Sequence, residues 1–156
     1  MRIRSATDAD LEAVLALLRT DVMRTAPGAR PEPTEVTERQ RSAMRVLTAD
    51  PTADVLVGEV DGRVVATTQV NWLQHLTHDG GLICQIEAVR VEASVRGQGL
   101  GAELMEHVLA EAQRRGAVRA QLTTMVARTD AHRFYQRLGF VPSHVGMKRY
   151  LGTEPA

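Results

Sequence analysis

A strand, three glycines and a helix follow one another in the stretch 87–116, and this arrangement constrains the fold and its ligand more than any other. Apolar residues run to about Val91, and Gly97, Gly99 and Gly101 then open a helix. Glycine at a helix start lets a ligand approach the backbone closely. The first turn of a helix carries unpaired N–H groups and the positive end of the dipole, so it attracts phosphate. The stretch therefore predicts a cradle for a diphosphate.

The spacing of these glycines excludes two common nucleotide-binding loops. The dinucleotide fingerprint needs Gly-x-Gly-x-x-Gly, whereas here the glycines stand two apart throughout. A P-loop needs a lysine followed by Ser or Thr after its last glycine, and Ala102-Glu103 stands there instead. The remaining pattern, Arg96-x-x-Gly99-x-Gly101, resembles the strand-to-helix signature of the GNAT superfamily of acetyl-CoA-dependent N-acetyltransferases, Gln/Arg-x-x-Gly-x-Gly/Ala.

A second stretch, near the end of the chain, resembles the late motif of the same family. Residues 131–140 read A-H-R-F-Y-Q-R-L-G-F, which matches A-x-x-F/L-Y-x-x-x-G-F at all of its main positions. The two motifs occur in the family's order, at the family's separation and on the expected elements. The resemblance thus covers nearly the whole chain.

Hydrophobic periodicity and turn signals predict the order β, α, α, β, β, β, α, β, α, β, β. The expected strands are 2–4, 55–60, 63–71, 82–91, 118–125 and a closing pair at 140–141 and 145–150, and the expected helices besides the central one are 11–24, 34–49 and 129–138. Asp61-Gly62 predicts a tight hairpin. The fold class is α+β, with a mostly antiparallel mixed sheet, a central parallel strand pair and about four helices. A single domain over residues 1–156 with the GNAT layout is expected.

Composition narrows the class of partner. Basic and acidic residues number 19 each, which gives no electrostatic support for binding nucleic acid or a membrane surface. No apolar stretch is long enough to span a membrane, and no signal peptide precedes the first amphipathic pattern. Cys84 is the single cysteine, which fits a reducing compartment. We expect a cytoplasmic protein.

The resemblance implies how acetyl-CoA, the cosubstrate, would be held. Backbone groups of Val89 and Val91 would pair with the pantetheine arm as an added strand. The N–H of Val89 or of a neighbour would face the thioester carbonyl. Diphosphate contacts would come from the turn and the helix start: Arg96, Gly97, Gln98, Gly99, Leu100 and Gly101.

Acetyl transfer to an amine also needs a base and an acid. Glu87 is the candidate base, directly or through a water, because a carboxylate in an apolar strand is costly unless it has a task or a partner. The alternatives are a glutamate facing solvent or one paired with Arg90 or Arg133. Tyr135 matches the tyrosine that family members use as general acid toward the leaving thiolate, and its alternative is a core aromatic beside Phe134.

The acceptor is the least determined part of this prediction. A primary amine of a small molecule is favoured, with a protein lysine or N-terminus as the alternative, and a non-catalytic acyl-CoA sensor or subunit as the rival from another class. Trp72 and a set of polar residues could line the acceptor pocket, namely Asp21, Arg24, His75, His78, Asp79 and His144. His75-x-x-His78-Asp79 is better explained as a polar loop than as a metal site. Arg128 stands where many relatives have a cofactor-binding asparagine, so that contact cannot be carried over. A homodimer is common for this fold.

Overall fold

The computed structural model describes residues 1–20 and 33–149. Within these residues, five strands form a single sheet in the spatial order β1-β2-β3-β4-β5. The strands are β1 (Arg2–Ser5), β2 (Ala53–Val60), β3 (Arg63–Gln74), β4 (Leu82–Val91) and β5 (Ala117–Leu122). The first four pair antiparallel, and β4 and β5 pair parallel. The predicted mixed sheet with a parallel pair is therefore confirmed.

In the described part of the chain, four helices of nine residues or more accompany the sheet, together with a short α-helical turn and two 3₁₀ turns. They are α1 (Leu11–Arg19), α2 (Glu38–Ala49), α4 (Leu100–Arg114) and α5 (Thr129–Arg137), and the short turn is α3 (Thr77–Gly80). A capping box, in which the Asp10 carboxylate accepts from the Thr7 N–H at 2.7 Å, precedes α1. Glycine 116 follows the C-cap of α4 with φ 72°, a left-handed conformation that ends the helix.

The sheet buries a different apolar cluster on each face. On one face, α4 packs against Leu56, Ala66, Val70, Cys84 and Ile86 through Leu104, Met105, Val108 and Ala112. On the other face, α1 and α2 cover Val55 and Val57 with Leu11, Val14, Leu15 and Met44. Period-2 alternation along the strands separates these two sets. We call the first the α4 face and the second the α1/α2 face.

The hairpin between β2 and β3 forms at Asp61-Gly62, as predicted. Both residues have positive φ, 50° and 75°, the conformation that a two-residue type I′ hairpin turn requires. Pairing of Val60 with Arg63 closes the hairpin.

Several boundaries differ from the prediction. The last strand of the sheet, expected to reach residue 125, ends at Leu122. The β3 strand continues through Trp72 to Gln74, where a loop was expected, because residues 72–74 pair with 82–84 of β4. The second helix begins only at Glu38, where Thr37 caps it and accepts from the Gln40 N–H at 3.2 Å. The predicted closing strands are absent from the described residues 138–149, and Val141, Val145 and Met147 are exposed. The end of the first predicted helix, 21–24, and residue 150 lie outside the described part.

Candidate functional site

The two parallel strands separate part-way along their length. Pairing of β4 with β5 runs from Leu82 opposite Ala117 to Ile86 opposite Leu122, where β5 ends. The β4 strand continues for five more residues, to Val91. On that side, residues 87–91 therefore have no strand partner within residues 1–20 and 33–149. The backbone of Val89 and Val91, predicted to receive an extended ligand, lies in this open stretch.

A β-bulge sits where the strands separate. Thr67 pairs with Arg90 and Gln69 pairs with Glu87, so one residue of β3 faces Ala88 and Val89 of β4. The bulge places Ala88 in the left-handed region, with φ 55°. A bulge leaves its extra residue outside the ladder and bends the strand, and bulges are frequent next to active sites. Here it interrupts the regular hydrogen bonding between β3 and β4, next to the gap that opens where β4 and β5 separate.

Buried Thr68 fixes the bulge in place. Its hydroxyl donates to the Glu87 carbonyl oxygen at 3.0 Å, and the side chain is fully buried. This hydrogen bond anchors the backbone of Glu87 to β3 just before the strand bends.

The glycine turn lies between the end of β4 and the start of α4. Gly97 and Gly99 have φ of 79° and 82°, and a Cβ added to either would meet no atom within 4 Å. Space in front of the helix start is therefore open to a ligand, as a diphosphate cradle requires. At Gly101 a Cβ would lie 3.4 Å from Phe134 and 3.5 Å from Val91, so α4 starts in close contact with α5 and with β4.

The Arg96 side chain folds back over the end of β4. Its Nε donates to the Val91 carbonyl oxygen at 3.1 Å, and the residue is otherwise exposed. The guanidinium is thus held beside the end of β4, and its predicted contact with a diphosphate stays a prediction. A ligand N–H that paired with the same carbonyl would compete with Arg96, which could then turn toward a phosphate.

Tyr135 lies on α5 and packs against the core of the α4 face. Its ring meets the edges of Phe134 and Phe140, with centroids at 5.0 and 5.8 Å. Burial raises the pKa of the phenol above its ordinary value, although the positive charges of Arg128 and Arg90 oppose the shift. Tyr135 is therefore a protonated phenol at neutral pH, and Arg128, in the position of the expected asparagine, contributes a positive charge beside it.

Glu87 is exposed, whereas its place in an apolar strand had suggested burial. Its side chain points to the α1/α2 face, because Glu87 alternates with buried Ile86. The carboxylate Oε1 accepts from Gln85 Nε2 at 2.8 Å. Arg133, one of the two alternative partners, pairs instead with Asp130, and Arg90 donates to the Val89 carbonyl oxygen.

Several amide side chains surround Glu87 on this face. Gln121 Nε2 on β5 donates to Gln85 Oε1 at 2.7 Å. On β3, Gln69 Nε2 donates to Asn71 Oδ1 at 2.9 Å. Register places Gln69 opposite Glu87 and Asn71 opposite Gln85. These amides were not among the predicted site residues, although the alternation of polar and apolar residues over 84–87 indicates that Gln85 and Glu87 share a face.

An apolar cavity of about 130 Å³ adjoins the bulge. It is lined on the helix side by Leu11, Val14, Leu15, Leu18, Ala43, Met44 and Leu47, and on the sheet side by Val55, Thr67, Gln69 and Ala88. Its position on the α1/α2 face, beside Ala88, puts it on the same side of the sheet as Glu87.

Trp72 lies on the other face of the sheet from this cavity. It is buried on the α4 face, its Nε1 donates to Asp54 Oδ2 at 2.6 Å, and the Arg115 guanidinium stacks over its ring at 4.4 Å. Because β3 extends through Trp72, alternation sends its side chain to the face opposite Glu87, and its predicted place in the acceptor pocket stays a prediction.

The histidines of the predicted acceptor set lie at the edges of the fold. His78 is exposed and contacts Arg119 at 3.1 Å, and His144 contacts the Ser143 hydroxyl at 2.7 Å. Asp21 and Arg24 lie outside the described residues. In 1–20 and 33–149, no three His, Cys, Asp or Glu side chains come close enough to hold a metal ion.

Cys84 is not available as a nucleophile. It is fully buried, and burial raises the pKa of its thiol to about 11. Since the thiolate is the reactive form, an acyl-thiol intermediate at this residue is excluded by access and by protonation state.

A family model for acetyltransferases of the GNAT family matches residues 15–140, which is most of the chain. The chain belongs to the GNAT acetyltransferase family. The predicted family is therefore confirmed, and with it the expected fold. No helix in the described part of this GNAT chain is both long and apolar enough to cross a bilayer.

The proteins similar to this GNAT chain include one enzyme matched by sequence and two solved structures. An aminoalkylphosphonate N-acetyltransferase of Salmonella typhimurium is 35% identical over 95 residues, and the match spans only 61% of that relative's length. A crystal structure described as a transcriptional regulator from Bacillus halodurans superimposes with a TM-score of 0.88 at 34% identity, covering 96% of this chain and 99% of that one. Glucosamine-6-phosphate N-acetyltransferase from Arabidopsis thaliana shares the fold, with a TM-score of 0.78 at 21% identity, covering 96% and 97%.

Proposed function

We propose that this protein transfers the acetyl group of acetyl-CoA to a primary amine of a small molecule. The observation that carries the proposal is the separation of β4 from β5 beside the glycine turn. An extended arm that adds to the open edge of β4 would have its diphosphate at the start of α4. Family membership supports acetyl-CoA as the donor.

Main-chain groups hold and polarise the donor in this proposal. The backbone of Val89 and Val91 pairs with the pantetheine arm, and the N–H groups of residues 97–101 bind the diphosphate, with Arg96 adding charge. An N–H at the bulge faces the thioester carbonyl oxygen, where negative charge develops. One such donor in a site shielded from water is worth roughly 3–4 kcal/mol of barrier.

Two side chains move protons. Glu87, on the α1/α2 face, takes the proton of the attacking amine, directly or through a water. Tyr135, on α5, donates to the departing thiolate, and burial keeps its phenol protonated for that purpose. Tyr135 packs on the α4 face and Glu87 lies on the α1/α2 face, so the proposal puts the acid and the base on opposite faces of the sheet.

The cavity beside Ala88 favours a small acceptor. About 130 Å³ of apolar space fits a short aliphatic or cyclic chain, and the amides and Glu87 provide polar contacts next to it. The Salmonella relative is named for aminoalkylphosphonates, which are small amines that also carry an anionic phosphonate group. They belong at the head of an acceptor panel that also contains amino sugars, amino acids, polyamines and peptides with a free N-terminus or lysine.

The test is to measure turnover with each amine of that panel, using the release of free thiol from acetyl-CoA as the signal. We expect one class of small amine to be acetylated with saturation kinetics. Acetyl-CoA should also raise the melting temperature, by the equivalent of about 2.7 kcal/mol at a hundredfold excess over its dissociation constant, while NADH and ATP have little effect. Equal stabilisation by all three nucleotides would contradict the cradle assignment.

An acyl-CoA sensor is the second candidate, because the similar structure from Bacillus halodurans is described as a transcriptional regulator. Both candidates predict binding of acetyl-CoA, and only the enzyme predicts release of free thiol with an amine. Binding without release across the whole panel would therefore favour the sensor.

A further inference from the structure

Three side chains from neighbouring strands form a hydrogen-bonded row that ends on Glu87. Gln121 Nε2 donates to Gln85 Oε1 at 2.7 Å, and Gln85 Nε2 donates to Glu87 Oε1 at 2.8 Å. The parallel register places Gln85 directly opposite Gln121, so the strand pairing itself holds the first two together. All three side chains lie on the α1/α2 face.

The charge of Glu87 dictates the direction of this row. A carboxylate can only accept hydrogen bonds, so Gln85 must present its NH₂ group to Glu87. The Gln85 oxygen then faces β5, where only a donor can meet it, and Gln121 must turn its own NH₂ group inward. Both amides therefore have one orientation that satisfies all partners, and neither can flip without losing a hydrogen bond.

The row holds one carboxylate oxygen of Glu87 and leaves the other available. Among the described residues, Oε1 accepts from Gln85, whereas Oε2 has no hydrogen-bond partner. Thr68 anchors the Glu87 main chain from the opposite side. An exposed glutamate ordinarily samples many rotamers, and fixing them has an entropic cost that must otherwise be met during the reaction.

We propose that Gln85 and Gln121 are positioning residues that hold Glu87 by Oε1 and aim Oε2 at the acceptor amine. This inference rests on the proposed function, because it presumes that Glu87 is the base. In the step itself, the ammonium nitrogen gives a proton to Oε2, and its lone pair then forms the bond to the thioester carbon. The C–S bond breaks as the tetrahedral intermediate collapses, and the coenzyme A thiolate leaves with the proton of Tyr135. The amides take no proton, so their effect is on orientation.

The test is a double-mutant cycle between Gln85→Met and Glu87→Gln. Methionine has the length of glutamine without its hydrogen bonds. Gln85→Met should lower kcat about tenfold, the effect of one hydrogen bond to a charged group, with KM for acetyl-CoA unchanged. In the Glu87→Gln background the same change should alter kcat less than twofold. Additive losses in the cycle would overturn the proposal.

Two further variants separate positioning from general damage to this face. Gln121→Met should lower kcat in the same direction as Gln85→Met but by less, because it acts through Gln85. Asn71→Leu is the matched control: it lies opposite Gln85 on the same face, but its amide hydrogen-bonds Gln69, so any loss it causes should add to that of Glu87→Gln. If Gln121→Met matches the wild type, or Asn71→Leu shows the same coupling to Glu87, the row has no special role.

A readout independent of turnover distinguishes this inference from the function on which it rests. The side-chain amide resonances of Gln85 and Gln121 should move in NMR spectra of Glu87→Gln, while those of Asn71 stay in place. If the resonances move but Glu87→Gln has the wild-type kcat, the row exists but Glu87 is not the base. The positioning role then fails as well. A different outcome would overturn the positioning role alone and leave Glu87 as the base. In that case Glu87→Gln has a reduced kcat, the resonances do not move, and Gln85→Met has the wild-type kcat.

Discussion

At the scale of single residues, the environment of Tyr135 suits an acid more than a base. Its ring is held by Phe134 and Phe140, and burial raises the pKa of the phenol above 10.0. A raised pKa means that the proton is retained as pH rises through neutrality and is lost only above about pH 10. The reaction should therefore show no alkaline loss from Tyr135 across the physiological range.

Removing the hydroxyl of Tyr135 should affect the chemical step alone. Tyr135→Phe keeps the ring and its edge contacts, so the melting temperature and the affinity for acetyl-CoA should not change. The kcat should fall by roughly 10²–10⁴-fold if the phenol is a full general acid. Phe140→Leu is the control: it removes one ring contact but keeps the hydroxyl, so it should lower stability more than kcat. A wild-type rate in Tyr135→Phe would make the tyrosine a packing residue only.

Replacing the carboxylate of Glu87 should change the response of the rate to pH. Glu87→Gln keeps size and the hydrogen bond to Gln85 but cannot take a proton, so kcat/KM should lose its rise on the acidic side of the profile. Glu92→Gln is a suitable control, since Glu92 directly follows the same strand but its carboxylate pairs with Arg63 and Ser94. A profile unchanged from the wild type would move the base elsewhere or to solvent.

At the scale of the elements, the local sequence was sufficient to predict a turn or a helix start wherever its residues favour one backbone conformation. Asp61-Gly62 and the glycines before α4 each favour a particular backbone conformation, and the structure has it. The family motifs placed β4, α4 and α5 for the same reason. These elements carry the candidate site, so most of the site's framework could be predicted.

Features that depend on contacts between distant strands could not be predicted in this way. The bulge at Ala88 has no residue type that demands it, and it arises from the register between β3 and β4. Trp72 was expected in a loop, and only the pairing of residues 72–74 with residues 82–84 shows that β3 continues through it. Likewise, the β-branched residues near 141 and 145 suggest strands, but propensity alone does not provide a partner. The hydrogen-bonded row from Gln121 to Glu87 could not be predicted either, because it depends on the register between β4 and β5.

The start and the end of α4 allow a controlled test of the cradle. Gly99 and Gly116 both have left-handed φ, 82° and 72°, and both have open space where a Cβ would go. Alanine at either position should therefore cost a similar free energy of unfolding, roughly 1–2 kcal/mol. Only Gly99→Ala puts a methyl group at the diphosphate end, so only it should weaken acetyl-CoA binding, by tenfold or more in a titration. Equal affinities in the two variants would contradict the cradle.

At the scale of the whole molecule, one ion cluster joins the first strand to the sheet and to the first helix, away from the gap. The Arg4 guanidinium donates to both oxygens of Asp10 at 2.8 Å and to Glu59 Oε1 at 2.6 Å. Asp10 also accepts from the Thr7 N–H in the capping box. The arginine thus connects β1, the turn before α1 and β2.

This cluster makes the stability of the fold depend on pH. Hydrogen bonding to Arg4 holds the pKa of Asp10 well below its usual range, so folding favours the ionised carboxylate. A group with a lowered folded-state pKa stabilises the fold fully above its unfolded value, about 3.9, and loses this contribution as pH falls toward the folded value. The free energy of unfolding should therefore decrease below about pH 4.

Asp10→Asn isolates the contribution of this charge to the whole fold. In urea unfolding at pH 7 it should cost about 1–3 kcal/mol, because Arg4 loses a charged partner and the cap is weakened. The difference from the wild type should shrink as pH falls below about 4, because the unfolded wild-type chain then takes up a proton at Asp10 that the folded chain still excludes. Asp8→Asn, at an exposed neighbouring carboxyl, should change stability little at either pH. A difference for Asp10→Asn that stays constant with pH would mean that shape and packing, rather than charge, hold β1 and α1 to the sheet.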